Sequence, residues 1–240
     1  MRRIIPLSLV LLAASATLVS ADGIMLRWQD CAGDAGVQNR TFACDTNTGS
    51  HVLAASFVIG YPREHVLETS TVVTFGTASS TLPDWFRFVS PGSCRQGGIS
   101  ISAQNGASCP DMFEGQASMN IAAYQLRLTS PQTGRLLTVN AVQAQHEVTL
   151  LAGQEYGVAR FTITSSKTVG TGSCAGCTVP ACIVFNSMGF LAANNVAFGL
   201  RDEAFPGSSY VTWQGGAGAN CPAATPTRNS TWGSVKSLYR

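Results

Sequence analysis

The chain has 240 residues, 45% hydrophobic and 12% charged, with 24 Gly, 10 Pro and 8 Cys. Charged residues make up about 25% of an ordinary globular chain, and half that share excludes a charge-driven disordered tail or a basic nucleic-acid arm. The formal charge of +2 falls to near zero once Arg2 and Arg3 are set aside, leaving thirteen basic against thirteen acidic residues. Steering toward nucleic acid or anionic lipid is therefore not expected.

Residues 1–21 read as a cleavable leader. Met1-Arg2-Arg3 is a basic start, residues 4–12 form an apolar run, and Val19-Ser20-Ala21 is a small-residue cleavage site. The apolar run is shorter than the roughly 20 residues a bilayer requires, and no second run follows. The mature chain, from Asp22, is thus expected to have no membrane span and to be secreted or periplasmic. Residues 22–240 are expected to form one domain.

Apolar and polar residues alternate with period two along most of this region, the signature of strands with one face on a core. In chain order the expected strands are 53–59, 71–75, 85–89, 98–103, 124–129, 136–142, 159–164, 182–190, 196–200 and 210–213. Turn residues separate them, as at Ser90-Pro91-Gly92, Asn105-Gly106, residues 130–134 (Ser-Pro-Gln-Thr-Gly) and Phe205-Pro206-Gly207. No long helical period appears, so the expected fold is all-β: an antiparallel, jelly-roll-like β-sandwich with disulfide-stapled loops. At the end of the chain, Thr231 is placed to cap a short helical turn carrying Trp232, Val235 and Leu238 or Tyr239.

Eight cysteines in an exported chain read as four disulfides: Cys31, Cys44, Cys94, Cys109, Cys174, Cys177, Cys182 and Cys221. Neighbourhood in the sequence pairs Cys31 with Cys44 and Cys94 with Cys109 as local clips, leaving the other four open. Cys174-x-x-Cys177 also raises a redox reading, but a Gly-rich loop leads here into an apolar strand, not into the helix start that lowers a thiolate pKa. Four thiolates from Cys174, Cys177, Cys182 and Cys221 would suit zinc, yet reduced thiols are hard to maintain outside the cytosol.

Two stretches resemble something already known. Residues 167–187, from Lys167 through Cys174-Ala175-Gly176-Cys177 to Asn186-Ser187, and the ending from Val211-Thr212-Trp213 to Leu238-Tyr239-Arg240 look like a family of secreted, cysteine-rich bacterial proteins whose function is unknown. The resemblance implies export and a shared cysteine framework; it brings no activity and no functional residue. More loosely, the strand arrangement is similar to the jelly-roll sandwiches of cohesins and carbohydrate-binding modules, an analogy of fold class alone.

Catalytic signatures are missing from the sequence. His146-Glu147 begins like a zincin helix, but Leu150 stands where the second histidine is required; there is no G-x-S-x-G elbow. Paired carboxylates need no fixed spacing, so Asp84, Asp111, Glu114, Asp202 and Glu203, all in or beside loops, keep an extracellular, glycosidase-like hydrolase as the competing class. No cofactor is expected. A structural calcium is weighed at Asp30, Asp34, Asp45 and Asn47, although position 56, a bidentate Glu in an EF-hand, is Ser. Trp28, Trp85 and Trp213 either fill the core or offer a flat platform to a ligand; Trp85, in its Leu82-Pro83-Asp84 loop, is the candidate platform. The expected function is non-enzymatic, structural or binding, at the cell exterior, with a polysaccharide or another surface protein as partner.

Overall fold

In the computed structural model, described for residues 22–33, 36–89, 92–103, 109–127, 130–201, 207–216 and 221, two β-sheets pack face to face as a sandwich. The expected leader and the expected helical turn after Thr231 lie outside these residues. The smaller sheet contains β1 (Gly23–Trp28), β3 (Ser50–Val58), β9 (Glu155–Thr164) and β5 (Ile99–Ser102), in the order β1-β3-β9-β5. The larger follows β2 (Asn39–Arg40), β12 (Tyr210–Trp213), β10 (Ala181–Ala192), β4 (Arg63–Thr77), β7 (Ser130–Ala141) and β6 (Ser118–Arg127), with β8 (Val148–Leu150) added to β4 and β11 (Ala197–Arg201) to β10. All strand pairings are antiparallel except that of β2 with β12.

The core lies between the sheets. On β9, Phe161 and Ile163 are fully buried while the intervening Arg160 and Thr162 are only partly covered, as the alternation predicts. β10 is apolar on both faces: Ile183 and Phe185 join the main core, whereas Cys182 and Val184 form a separate cluster with Cys221 and Tyr210. On β4 and β7 the core includes polar residues. The buried hydroxyls of Thr71 and Thr138 bond each other at 2.6 Å, and Asn140 Nδ2 donates to Thr69 Oγ1 and to the Val158 carbonyl, groups that would be costly to bury alone, while Asn140 Oδ1 is buried without a partner.

Three local expectations change. The segment 85–89 is not a strand: Asp84–Phe86 is a 3-10 turn whose Trp85 and Phe86 point inward. Residues 130–134 are not a turn but the start of β7. Pro131 is tolerated there because pairing with β4 begins only at Thr133, so its missing N–H costs no ladder bond to that strand.

The third concerns the disulfides. All eight cysteines are bridged, but as Cys31–Cys109, Cys44–Cys177, Cys94–Cys174 and Cys182–Cys221; the local clips Cys31–Cys44 and Cys94–Cys109 do not form. Between Cys31 and Cys44 the chain crosses from the β1 sheet to β2, which lies beside β12 in the other sheet. Cys94 lies at the far end of β9, where Lys167 Nζ donates to its carbonyl, while Cys109 lies at the near end, where Gly157 N donates to the Pro110 carbonyl. Ten strand residues at about 3.3 Å each separate those ends, so closeness in sequence is not closeness in space. Cys174 and Cys177 pair with different partners, which excludes a redox pair and a four-thiolate site in this oxidised chain.

Candidate binding groove

All three tryptophans with strand or turn positions are fully buried, so Trp85 is core and not a ligand platform. Its ring lies 4.6 Å from Trp213 and 5.2 Å from Phe86, and its indole N–H donates to Thr168 Oγ1 at 3.3 Å. The Arg95 guanidinium, itself buried, sits 4.1 Å over the Trp85 ring and donates to the carbonyls of Ser166 and Thr164; burial lowers its pKa to about 10. Trp28 and Trp213 direct their N–H groups to the carbonyls of Thr212 and Cys177. Large aromatics with satisfied polar tips are what a core accepts.

Two of the four calcium candidates serve other ends. Asn47 Oδ1 accepts from the backbone N–H of Thr168 and Val169, and Asp30 Oδ1 from that of Cys31; Asp34 lies outside the described residues. Among the described residues one group brings three ligand-type atoms together, Cys31, Cys109 and Glu155, and its two sulfurs are joined as a disulfide.

Of the loop carboxylates, Asp84 pairs with Arg87 at 3.4 Å, and Asp202 and Glu203 fall outside the described residues. Asp111 and Glu114 do converge, in an open groove of about 600 Å³ formed by residues 110–116, 145–151 and 154–156. Each wall is anchored separately. The first follows the Cys31–Cys109 disulfide and is held to β9 by Gly157 N to the Pro110 carbonyl (2.8 Å) and Met112 N to the Gly157 carbonyl (3.1 Å). Glu155 secures the opposite end of that disulfide: its carboxylate accepts from the backbone N–H of Ala32 and Gly33, each at 2.8 Å, and from the Ser56 hydroxyl.

Within this wall Asp111 closes its own turn. Oδ1 accepts from Phe113 N (3.2 Å) and Oδ2 from Gly115 N (2.7 Å), an arrangement that short acidic side chains favour in turns. Glu114 takes a left-handed φ of 52° and Gly115 one of 78°; the Glu114 N–H donates to the Asp111 carbonyl at 3.1 Å, while its carboxylate makes no hydrogen bond or ion pair among the described residues. The second wall carries the 3-10 turn Ala144–His146 and Glu147. Glu147 Oε1 meets His65 Nδ1 at 2.6 Å, and this hydrogen bond raises the His65 pKa above the ordinary imidazole value. At the third wall the Tyr156 hydroxyl accepts from Leu151 N and donates to Gln154 Oε1, while its ring stacks on Phe57 at 5.8 Å.

Sequence reasoning places Asp111 and Glu114 in loops and sets His146 and Glu147 aside as an incomplete zincin start; it misses His65 and Tyr156 as parts of this site. The local signal it contains is Asp111-x-x-x-Gly115, an acidic turn ending in a residue free to take positive φ. His51 stands elsewhere, half-buried 4.1 Å from Phe42 and 5.1 Å from Trp213. Burial, then Arg40 and Arg95, lower its pKa to about 4.

No family model matches the chain, and no curated protein does. Among solved structures it is similar to a cohesin module from a Clostridium perfringens family 33 glycoside hydrolase, with TM-score 0.40, 8% identity, and coverage of 81% of this chain and 97% of that one. It is similar also to the second type II cohesin module of the cellulosomal adaptor ScaA scaffoldin of Acetivibrio cellulolyticus (TM-score 0.32, 6% identity, 75% and 91% covered). A third is AvmM, which catalyses macrocyclization in alchivemycin A biosynthesis (TM-score 0.35, 12% identity, 78% and 92% covered). These scores describe a loose likeness, and the sandwich stands on its own two sheets. No helix among the described residues is long and apolar enough to cross a membrane.

Proposed function

We propose that the chain is exported and works outside the cytoplasm as a binding module, with the groove as its site. The leader-like residues 1–21 and the four disulfides support export, and we group the chain with the secreted, cysteine-rich bacterial proteins it resembles. What carries the binding reading is how the groove's carboxylates are engaged. Acid–base hydrolysis needs two carboxyl groups free to act on a substrate, whereas both oxygens of Asp111 close a turn and Glu147 is paired with His65, leaving Glu114 alone. Walls held in place by hydrogen bonds also limit the ordering cost that binding must overcome.

The hydrolase reading draws on one specific observation, the meeting of Asp111 and Glu114 beside Tyr156 in a single groove. The two readings part in one experiment. Oxidised mature protein is incubated with panels of oligosaccharides, peptides and esters, and both thermal stabilisation and product are measured. Binding predicts a ligand that raises the melting temperature, is recovered unchanged, and loses its effect in Glu114→Gln. Turnover abolished by Glu114→Gln with the fold intact would establish the hydrolase instead.

A further inference from the structure

The groove has an electrostatic character that the chain as a whole lacks. Beyond residue 21 acidic and basic residues balance, yet Asp111, Glu114 and Glu147 line the groove with no Lys or Arg among its walls. Of the cationic groups beside it, His65 pairs with Glu147, and Arg63, opposite Leu150, lays its guanidinium over the Phe198 ring at 4.7 Å. An anionic ligand is therefore disfavoured. A sugar ring finds no flat partner either, since Phe113 is buried and Tyr156 is only 8% exposed. A metal ion requires ligand atoms meeting at a point, and the groove's carboxylates form no such cluster. Carboxylates spread along a groove that also presents Val148 and the 56%-exposed Leu151 suit long side chains with an apolar stem and a cationic head.

We propose that the groove receives an extended, Lys- or Arg-bearing segment of a partner protein, its aliphatic stems on Val148 and Leu151 and its charged heads among Glu114, Glu147 and Asp111. This rests on the groove being a binding site and names its partner class. A volume of about 600 Å³ is within the range of sites that enclose a few side chains.

The test selects random heptapeptides on immobilised, oxidised mature protein and then measures an enriched peptide by fluorescence anisotropy. Enrichment in Lys and Arg is expected. Affinity should fall about threefold to tenfold in Glu114→Gln, further in Glu114→Lys, and with rising salt. Asp45→Asn, an equal charge change at an exposed residue outside the groove, should leave it unchanged. Selection without basic enrichment, or equal losses in Glu114→Gln and Asp45→Asn, would overturn the proposal. If a neutral oligosaccharide binds with dependence on Glu114 while no basic peptide does, the partner class fails and the groove remains a binding site. If neither class binds with dependence on Glu114, both fail.

Discussion

Replacing Trp85 by Ala tests the assignment of this residue to the core. Its side chain is fully buried, contacts Trp213, Phe86 and Phe88, and carries the Arg95 guanidinium on its face. Truncating a buried Trp costs about 3–5 kcal/mol, and losing the desolvated cation–π contact adds about 1–2 kcal/mol. Arg95 is left buried beside the cavity, with its Nε already lacking a hydrogen-bond partner. Since 1 kcal/mol corresponds to about 2–4 °C for a domain near 200 residues, the melting temperature of the oxidised protein should drop by about 8–28 °C, read by circular dichroism or calorimetry. Below that transition, ligand binding in the groove should be unaffected. A melting temperature within about 3 °C of the parent would refute the reasoning, because no rearrangement of an aromatic core this dense absorbs an indole without loss.

Four further outcomes are expected. Non-reducing peptide mapping should recover Cys31–Cys109, Cys44–Cys177, Cys94–Cys174 and Cys182–Cys221, and a Cys31–Cys44 peptide would contradict the fold. Replacing Cys44 and Cys177 together by Ser should cost about 3–4 kcal/mol on the chain-entropy account, measured by denaturant titration, because Cys31–Cys109 and Cys94–Cys174 already shorten the open path between the two positions. His51, held near 4 when folded and near 6.5 when unfolded, makes the unfolded chain bind the extra proton as pH falls. Stability from this group is full above about 6.5 and declines toward about 4, by about 1–2 kcal/mol after allowance for its partial exposure; His51→Phe should flatten that part of the pH–stability curve. Gly176→Ala should destabilise by about 2–4 kcal/mol, because φ there is 112° and the new Cβ would lie 2.3 Å from Pro83 Cβ; an unchanged unfolding midpoint would contradict this.

What could be read from the sequence depended on one-sided burial. β9 alternates apolar and polar residues because one face meets the core, and period two reveals it. β1 is buried along nearly its whole length, so Ile24, Met25 and Leu26 run together and show no period. The first half of β4 was hidden for a different reason: Thr69 occupies a buried position that a hydrophobicity pattern cannot recognise, its hydroxyl accepting from Asn140 across the sheet. Trp85 looked like part of a strand because its neighbours are apolar, but Pro83 and the turn at Asp84 fold it inward. The groove draws on three segments up to 46 positions apart, Pro110 to Tyr156, and only the closing of the sheets brings them together. Pairing of the cysteines is non-local for the same reason.

The bridges have a further consequence for a chain exposed to proteases. Cys31–Cys109 and Cys44–Cys177 overlap along the sequence, and Cys182–Cys221 spans the next stretch. A single cut anywhere between residues 31 and 177, or between 182 and 221, therefore leaves both fragments covalently joined and in register, so that a nicked molecule stays one molecule. The exception inside that span is the short link from Cys177 to Cys182, which no bridge encloses; one cut there separates the chain into two bodies held by strand pairing and packing alone. That link begins with the exposed Thr178 and runs straight into Val179-Pro180 and the buried start of β10, which leaves a protease little extended backbone to grip at the one place between Cys31 and Cys221 where its action would divide the protein.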